Sequence, residues 1–243
     1  MSIARRISQF DKALMGLRSL VLDGEFAANA RLPEVALAER LDISRTPLRQ
    51  AMSRLVEEGL LERIETGGCR VASFTMADIL DAIEIRGVIE GTAARFAAER
   101  GADPDLLDEC RDTLEALDKA VSGADGIDFD SYVHFNSEFH ELLGRLARSA
   151  VVLREMERIA RLPLASPSAF LQGQRMIPDF QASLRLAQAQ HWAIFDAIEN
   201  REGARAEALA REHARLARKN LDFVTRTKPS LIDKVPGLAL VAT

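Results

Sequence analysis

"PEVALAERLDISRTPLRQAMSRLVEEGLLER", residues 33–63, decides the fold. Leu37 and Leu41 lie four residues apart and so share one face of a helix. Leu48, Met52, Leu55 and Val56 make a second apolar stripe at steps of three and four. Only "DIS", residues 42–44, separates the two helices, which is room for a tight turn. Ser44 reads as the N-cap of the second helix. Pro47 falls in its first turn, where a missing N–H costs little, and Gly59 ends it.

The flanks extend the pattern. Upstream, "SQFDKALMGLRSLVLD" (8–23) places Phe10, Leu14, Leu17 and Val21 on one face, which predicts an amphipathic helix ended by Gly24; a loop follows. Downstream, "LLERI" and "CRVASF" are β-prone pieces joined by Glu65-Thr66-Gly67-Gly68, which predicts a small hairpin. Three helices and a hairpin over residues 8–74 make a winged helix-turn-helix. Its third helix carries Arg45, Arg49 and Arg54 off the apolar stripe. A helix docked in the DNA major groove reads bases with residues near its N-terminus, and arginine is the usual partner of guanine. Ser44, Thr46 and backbone N–H groups would meet phosphates. The alternative is that these arginines solvate a surface helix.

From Thr75 onward no strand signal appears. Long helical periods, several ended by glycine (Gly101, Gly123), predict an all-α bundle over residues 75–227. Three prolines break the stretch 163–180, with a short helical piece expected inside it. Residues 228–243 contain two prolines and no clear period, and read as a tail. The fold class expected is therefore mainly α: an N-terminal winged helix-turn-helix and a C-terminal helical bundle.

Composition agrees. Of 243 residues, 47% are hydrophobic and only 5% aromatic, with Ala, Leu, Arg and Glu abundant, which favours helices. Residues 1–75 carry 11 Lys and Arg against 10 Asp and Glu, while the remainder carries 21 against 27, a weak asymmetry toward a polyanion-binding N-terminal part. Cys69 and Cys110 form no disulfide framework, so a reducing cytoplasm is expected. No apolar run approaches the roughly 20 residues that span a bilayer, and no membrane partner is expected.

The bundle holds all four histidines. In "HFNSEFHELLGRL" (134–146), Asn136 and His140 are four apart and share a face. His191 and His213 lie on consecutive helices joined by a turn at Glu202-Gly203. Each is roughly 16 Å from that turn at 1.5 Å rise per residue, so antiparallel helices place them at one height. His134 is rotated by about 120° from His140 and does not join them. Imidazoles suit Zn, Ni, Cu and Fe, and three histidines with an open position describe a zinc site. The alternative is three separately hydrogen-bonded histidines.

These residues carry a resemblance. The 33–63 stretch followed by "TGGCRV" is similar to the DNA-binding domain of the GntR family of bacterial transcription regulators. "EIRGVIEGTAARFAA", "NSEFHELL", "QHWAIFDAIENRE" and "AREHARLA" resemble the FCD effector domain of its FadR-like subfamily. The resemblance covers about residues 10–225. It implies a homodimer on palindromic double-stranded operator DNA: Arg45 and Arg49 on bases, Ser44 and Thr46 on the backbone, and Gly67 or Gly68 bringing the wing to the minor groove. Val35 stands where some relatives carry a further basic residue.

The resemblance also implies a divalent ion, Zn or Ni, held by His140, His191 and His213. Asn136 stands where an aspartate is usual, which leaves the ion's charge less compensated. It implies a small carboxylate effector beside the metal. Arg86, the arginine of the "E-x-R" segment, would clamp that carboxylate bidentately, or instead pair with Glu90 at i+4. The expected function is a ligand-responsive transcription regulator and not an enzyme. Two alternatives stand: a regulator without metal, whose effector touches Asn136 and the histidines directly, and a metal-dependent hydrolase fused to a DNA-binding module. Against the hydrolase, no Glu or Asp is evident in the sequence beside the histidines.

Overall fold

The structure is a computed structural model and describes residues 8–123, 126–162, 165–167, 178–227 and 238–241. It divides into two compact units, residues 1–78 with 236–243, and residues 79–235.

The first unit contains α1 (Gln9–Leu22), α2 (Glu34–Arg40), α3 (Arg45–Glu57), β1 (Leu61–Arg63) and β2 (Cys69–Val71). Its core is the set of stripes read from the sequence: Leu17, Val21, Leu37, Leu48, Met52 and Leu55, closed by Leu60, Leu61 and Val71. Leu48 and Leu55 have no exposed surface, and full burial of one such side chain stabilises by about 1.5–3 kcal/mol. β1 and β2 pair antiparallel, Leu61 opposite Val71 and Arg63 opposite Cys69. Gly67 and Gly68 turn the hairpin with φ of +94° and +85°, a region that favours glycine.

Three features differ from the sequence reading. Ser44 stands at the N-cap of α3, yet its hydroxyl makes no capping hydrogen bond among the described residues. The reason is Pro47, which occupies the third helical position and has no N–H to offer. The loop before α2 is partly a third strip of sheet: Asn29 N–H donates to the Val71 carbonyl, Val71 N–H to Ala30, and Leu32 N–H to Cys69. The tail also has structure. Leu238–Leu240 is a short 3-10 turn, and Leu240 is buried in the core of this first unit.

The second unit begins within α4 (Met76–Arg100), followed by α5 (Pro104–Ser122), α6 (Phe129–Leu146), α7 (Ala150–Ile159), α8 (Pro178–Glu199) and α9 (Gly203–Asp222). A π-helical turn, Phe223–Thr227, continues α9. The helical piece expected within 163–180 falls on residues that lie mostly outside those described. Helix starts are capped locally: Asp103 accepts from Asp105 N–H, Asp128 from Ser131 N–H and Ser149 from Val152 N–H. Thr75 and Asp78 cap α4 reciprocally, each side chain accepting from the other's backbone N–H. α5 packs on α6 and α8, and α8 on α9. α4 lies close to α9 through its glycines: a Cβ on Gly91 would stand 3.0 Å from the Glu207 carbonyl oxygen. This close contact brings Arg86 and Glu90 of α4 toward α9. No helix among the described residues is long and apolar enough to cross a membrane.

Candidate metal centre and nucleic-acid interface

In the second unit four helices bring polar side chains to one buried place. α6 supplies Asn136 and His140, α8 His191, α9 His213, and α4 Arg86 and Glu90; every one of the six is buried. One nitrogen of each of His140, His191 and His213 lies within 4.8 Å of those of the other two. His134 is far more exposed and lies 3.9 Å from Glu138.

The hydrogen bonds define the state of the rings. The Gln188 Nε2 amide donates to the Leu114 carbonyl and to Asp118 Oδ1, both at 2.9 Å. Gln188 Oε1 is therefore the acceptor that faces His191 Nδ1 at 3.1 Å, so that Nδ1 carries the proton. His213 Nδ1 lies 3.2 Å from the side-chain amide of Gln190. The Nε2 atoms of the two rings face each other 3.1 Å apart, and that of His191 carries a lone pair. Burial pushes both imidazoles well below the usual histidine range, so the charged form of either ring is disfavoured. When both Nδ1 atoms carry the protons, the two Nε2 lone pairs point at one spot and suit a cation between them.

His140 completes the set differently. Its Nδ1 lies 3.1 Å from Glu90 Oε1. The approach is poorly angled, so neither ring nitrogen has a well-formed hydrogen bond among the described residues. Glu90 is the functional residue that sequence reading missed. The only signal was its i+4 spacing from Arg86, which had been read as a helix pair. Burial alone would raise its carboxyl, but His140 and Arg86 hold it below the usual carboxylate range. The expectation that no carboxylate stands beside the histidines is thereby corrected. A carboxylate behind a ligating histidine is the usual way its ring is oriented.

Arg86 is not poised as a two-pronged clamp. One terminal nitrogen donates to the Ala165 carbonyl at 2.9 Å and the other to the Ala214 carbonyl at 3.1 Å, while Nε lies 3.7 Å from Glu90. Only Nε lacks a hydrogen bond among the described residues. The intrahelical pair with Glu90 is therefore present, and the fork is engaged by backbone carbonyls. Two cavities border this cluster. One of about 40 Å³ touches Arg86, Tyr132, Asn136 and His213. The other, about 390 Å³, is lined by Glu90, His140, Leu153 and Met156.

The donor set fits a divalent ion of the zinc or nickel kind: three buried imidazoles whose ring nitrogens converge on one place, with a carboxylate beside one of them. Metal–nitrogen bonds of about 2.1 Å set ligands about 3.4 Å apart in a tetrahedron. His140 is therefore the ring that has to close in. Asn136 lies beside His213 at the smaller cavity.

In the first unit Ser44, Arg45, Thr46 and Arg49 are exposed along the start of α3, and Gly67 is exposed at the wing turn. Arg49 Nε is paired with Glu34 at 2.8 Å. Arg54 is held by Glu57 and Glu58 at the far end of α3, away from the residues that would read bases. Arg31, an exposed arginine not singled out in the sequence, donates to the Gly67 carbonyl and so sits at the wing turn. Its position depends on the third sheet strip, which no local pattern announces.

Comparison with known proteins agrees with this arrangement. A family model described as FCD domain matches residues 81–216, and one described as bacterial regulatory proteins, gntR family, matches residues 12–71. The chain belongs to the GntR family, with an FCD domain. Its relatives include the Nta operon transcriptional regulator of Aminobacter aminovorans, 30% identical over 188 residues that make up 77% of this chain and 82% of that protein. The HTH-type transcriptional repressor GlaR of Escherichia coli K12 is 28% identical over 202 residues, 81% and 88% of the two chains. The solved structure of E. coli McbR/YncC superposes with a TM-score of 0.64 at 19% identity, covering 91% of this chain and 99% of that one, which speaks for the fold. This GntR-family chain is a DNA-binding transcriptional regulator, and its domains and relatives are those of regulators rather than enzymes.

Proposed function

We propose that this regulator is ligand-responsive, and that its helical unit holds a divalent ion, Zn or Ni, and a small carboxylate that together alter operator binding. The observation that carries the reading is the pair of buried imidazoles whose Nε2 atoms face each other at 3.1 Å, with His140 beside them. The ion would supply the positive charge that attracts the carboxylate. His191 presents its Nε2 already in the ligating tautomer, His213 faces it, and Glu90 orients His140. Asn136 offers a neutral oxygen, so the ion's charge is left for the effector. Arg86 anchors the cluster to the Ala165 and Ala214 carbonyls rather than gripping the effector with its fork. The larger cavity has room for a small organic acid.

On DNA, Arg45 and Arg49 read bases, Ser44 and Thr46 meet phosphates, and Gly67 and Gly68 let the wing approach the minor groove. The protein acts as a cytoplasmic homodimer on a palindromic operator, and effector binding shifts the balance between two dimer geometries with different half-site spacing. Arg49 has to exchange Glu34 for DNA, at little cost because exposed pairs are weak.

Two measurements test this. Arg45→Ala with Arg49→Ala should weaken binding to a duplex selected from a random pool by the wild-type protein by at least about 30-fold, since each guanine contact is worth about 1–3 kcal/mol; unchanged binding refutes the DNA assignment. Elemental analysis after mild purification should give near one metal per chain. A ratio near zero, unmoved by added Zn²⁺ or Ni²⁺, leaves instead the metal-free reading in which Asn136 and the histidines hold the effector directly.

A further inference from the structure

The last described residues belong to the DNA-binding unit. Leu238 is 4% exposed and Leu240 is fully buried, in the same core as Leu17, Val21 and Val71. The backbone is tied in as well. Phe74 N–H donates to the Leu240 carbonyl at 2.9 Å, Val241 N–H donates to the Leu238 carbonyl, and Phe74 and Val241 form a parallel bridge. Phe74 lies three residues beyond the end of β2, where the chain leaves the wing. Ala72 N–H is bonded to the Leu60 carbonyl at the other side of the hairpin's base. The segment also packs on α1.

A hairpin of two three-residue strands is too small to hold its own geometry and depends on what it packs against. Here that support is α3, the strip at residues 29–32, and this C-terminal segment. Residues 238–241 thus belong to the unit that the chain leaves after residue 78, which makes the helical unit an insertion within the DNA-binding unit.

We propose that Leu238–Val241 is a brace for the wing, and that Leu240 is a positioning residue for DNA binding although it lies far from the reading helix in sequence. It touches no DNA. It fixes the exit from β2 against α1, and with it the attitude of the Gly67-Gly68 turn.

The test uses the full chain with Leu240→Ala, Leu240→Asp and Leu240→Met, and a chain ended after residue 237. Hydrogen exchange is followed by mass spectrometry, and affinity is measured on the selected duplex across a salt series. Exchange over residues 60–74 should speed up by about tenfold or more in the Ala, Asp and shortened chains, the factor expected from losing one buried leucine. Affinity should fall severalfold in Leu240→Asp and the shortened chain, where the open wing becomes a populated state and the binding-competent fraction drops. The salt dependence should become shallower as wing–phosphate contacts are lost. Leu240→Met should restore all three, and α5 and α6 should exchange as before. Unchanged exchange over 60–74 in Leu240→Asp overturns the proposal. Equal loss of protection throughout α1 and α3 also overturns it, because Leu240 would then be a general core residue rather than a brace for the wing.

Discussion

Acid should weaken the metal-free helical unit, and by an amount that follows from two side chains. His191 and His213 are buried and held well below the usual histidine range, mainly by desolvation. In the unfolded chain each titrates at about 6.5. Because the folded pKa is depressed, the unfolded state binds more protons, so their contribution to stability is present above about pH 6.5 and is lost as pH falls below it. If both stay neutral in the folded state down to pH 5.5, each costs about 1.4 kcal/mol between pH 7.5 and 5.5, and the pair about 2.7 kcal/mol. Glu90, held low, acts in the same direction but only below about pH 4.5, outside this window. The assay is urea unfolding with chelator present, read by the fluorescence of Trp192. This is the single tryptophan of the chain, and it is fixed in α8 by its bond to Asp118. It therefore reports the helical unit alone. The comparison is the double variant His191→Gln, His213→Gln, which cannot titrate at these sites. Wild type should lose about 2.7 kcal/mol more than the variant over the two pH units. Equal losses would mean that the imidazoles are not held neutral, and the argument for a neutral, ligand-ready pair would fail with them.

Two substitutions probe the same site from other sides. Asn136→Asp should tighten Zn²⁺ or Ni²⁺ binding by at least about tenfold in a chelator competition, equivalent to 1.4 kcal/mol, because a charged oxygen replaces a neutral one; weaker or equal binding would show that residue 136 does not ligate. Glu90→Gln should lower metal affinity about 10- to 100-fold, the usual cost of removing a carboxylate behind a ligating histidine. It should also destabilise the metal-free protein by about 3–5 kcal/mol, since buried Arg86 loses its counter-charge; calorimetry that finds stability and affinity both unmoved would contradict the role given to Glu90.

The sequence by itself determined the elements of this protein and much of its site. Stripes at Leu48, Met52 and Leu55, the glycines at 67 and 68, and the absence of strand signals after Thr75 are local patterns, and local periodicity dictates helix faces and turns. The meeting of His191 and His213 was also legible, because a short turn and a fixed rise per residue are enough to set two heights on antiparallel helices. Tertiary structure decided the partners. Glu90 faces His140 across two helices that lie fifty residues apart in sequence, a pairing that no local period announces. Gln188 fixes the tautomer of His191 only because Leu114 and Asp118 of α5 hold its amide. Ser44 has the right residue type for a cap, but the proline three positions on removes the donor. Leu240 sits in a stretch with no period, and nothing local says which core it enters. Hydrogen bonds and burial between residues distant in sequence depend on how whole helices dock, and docking is a property of the summed packing surface rather than of any motif.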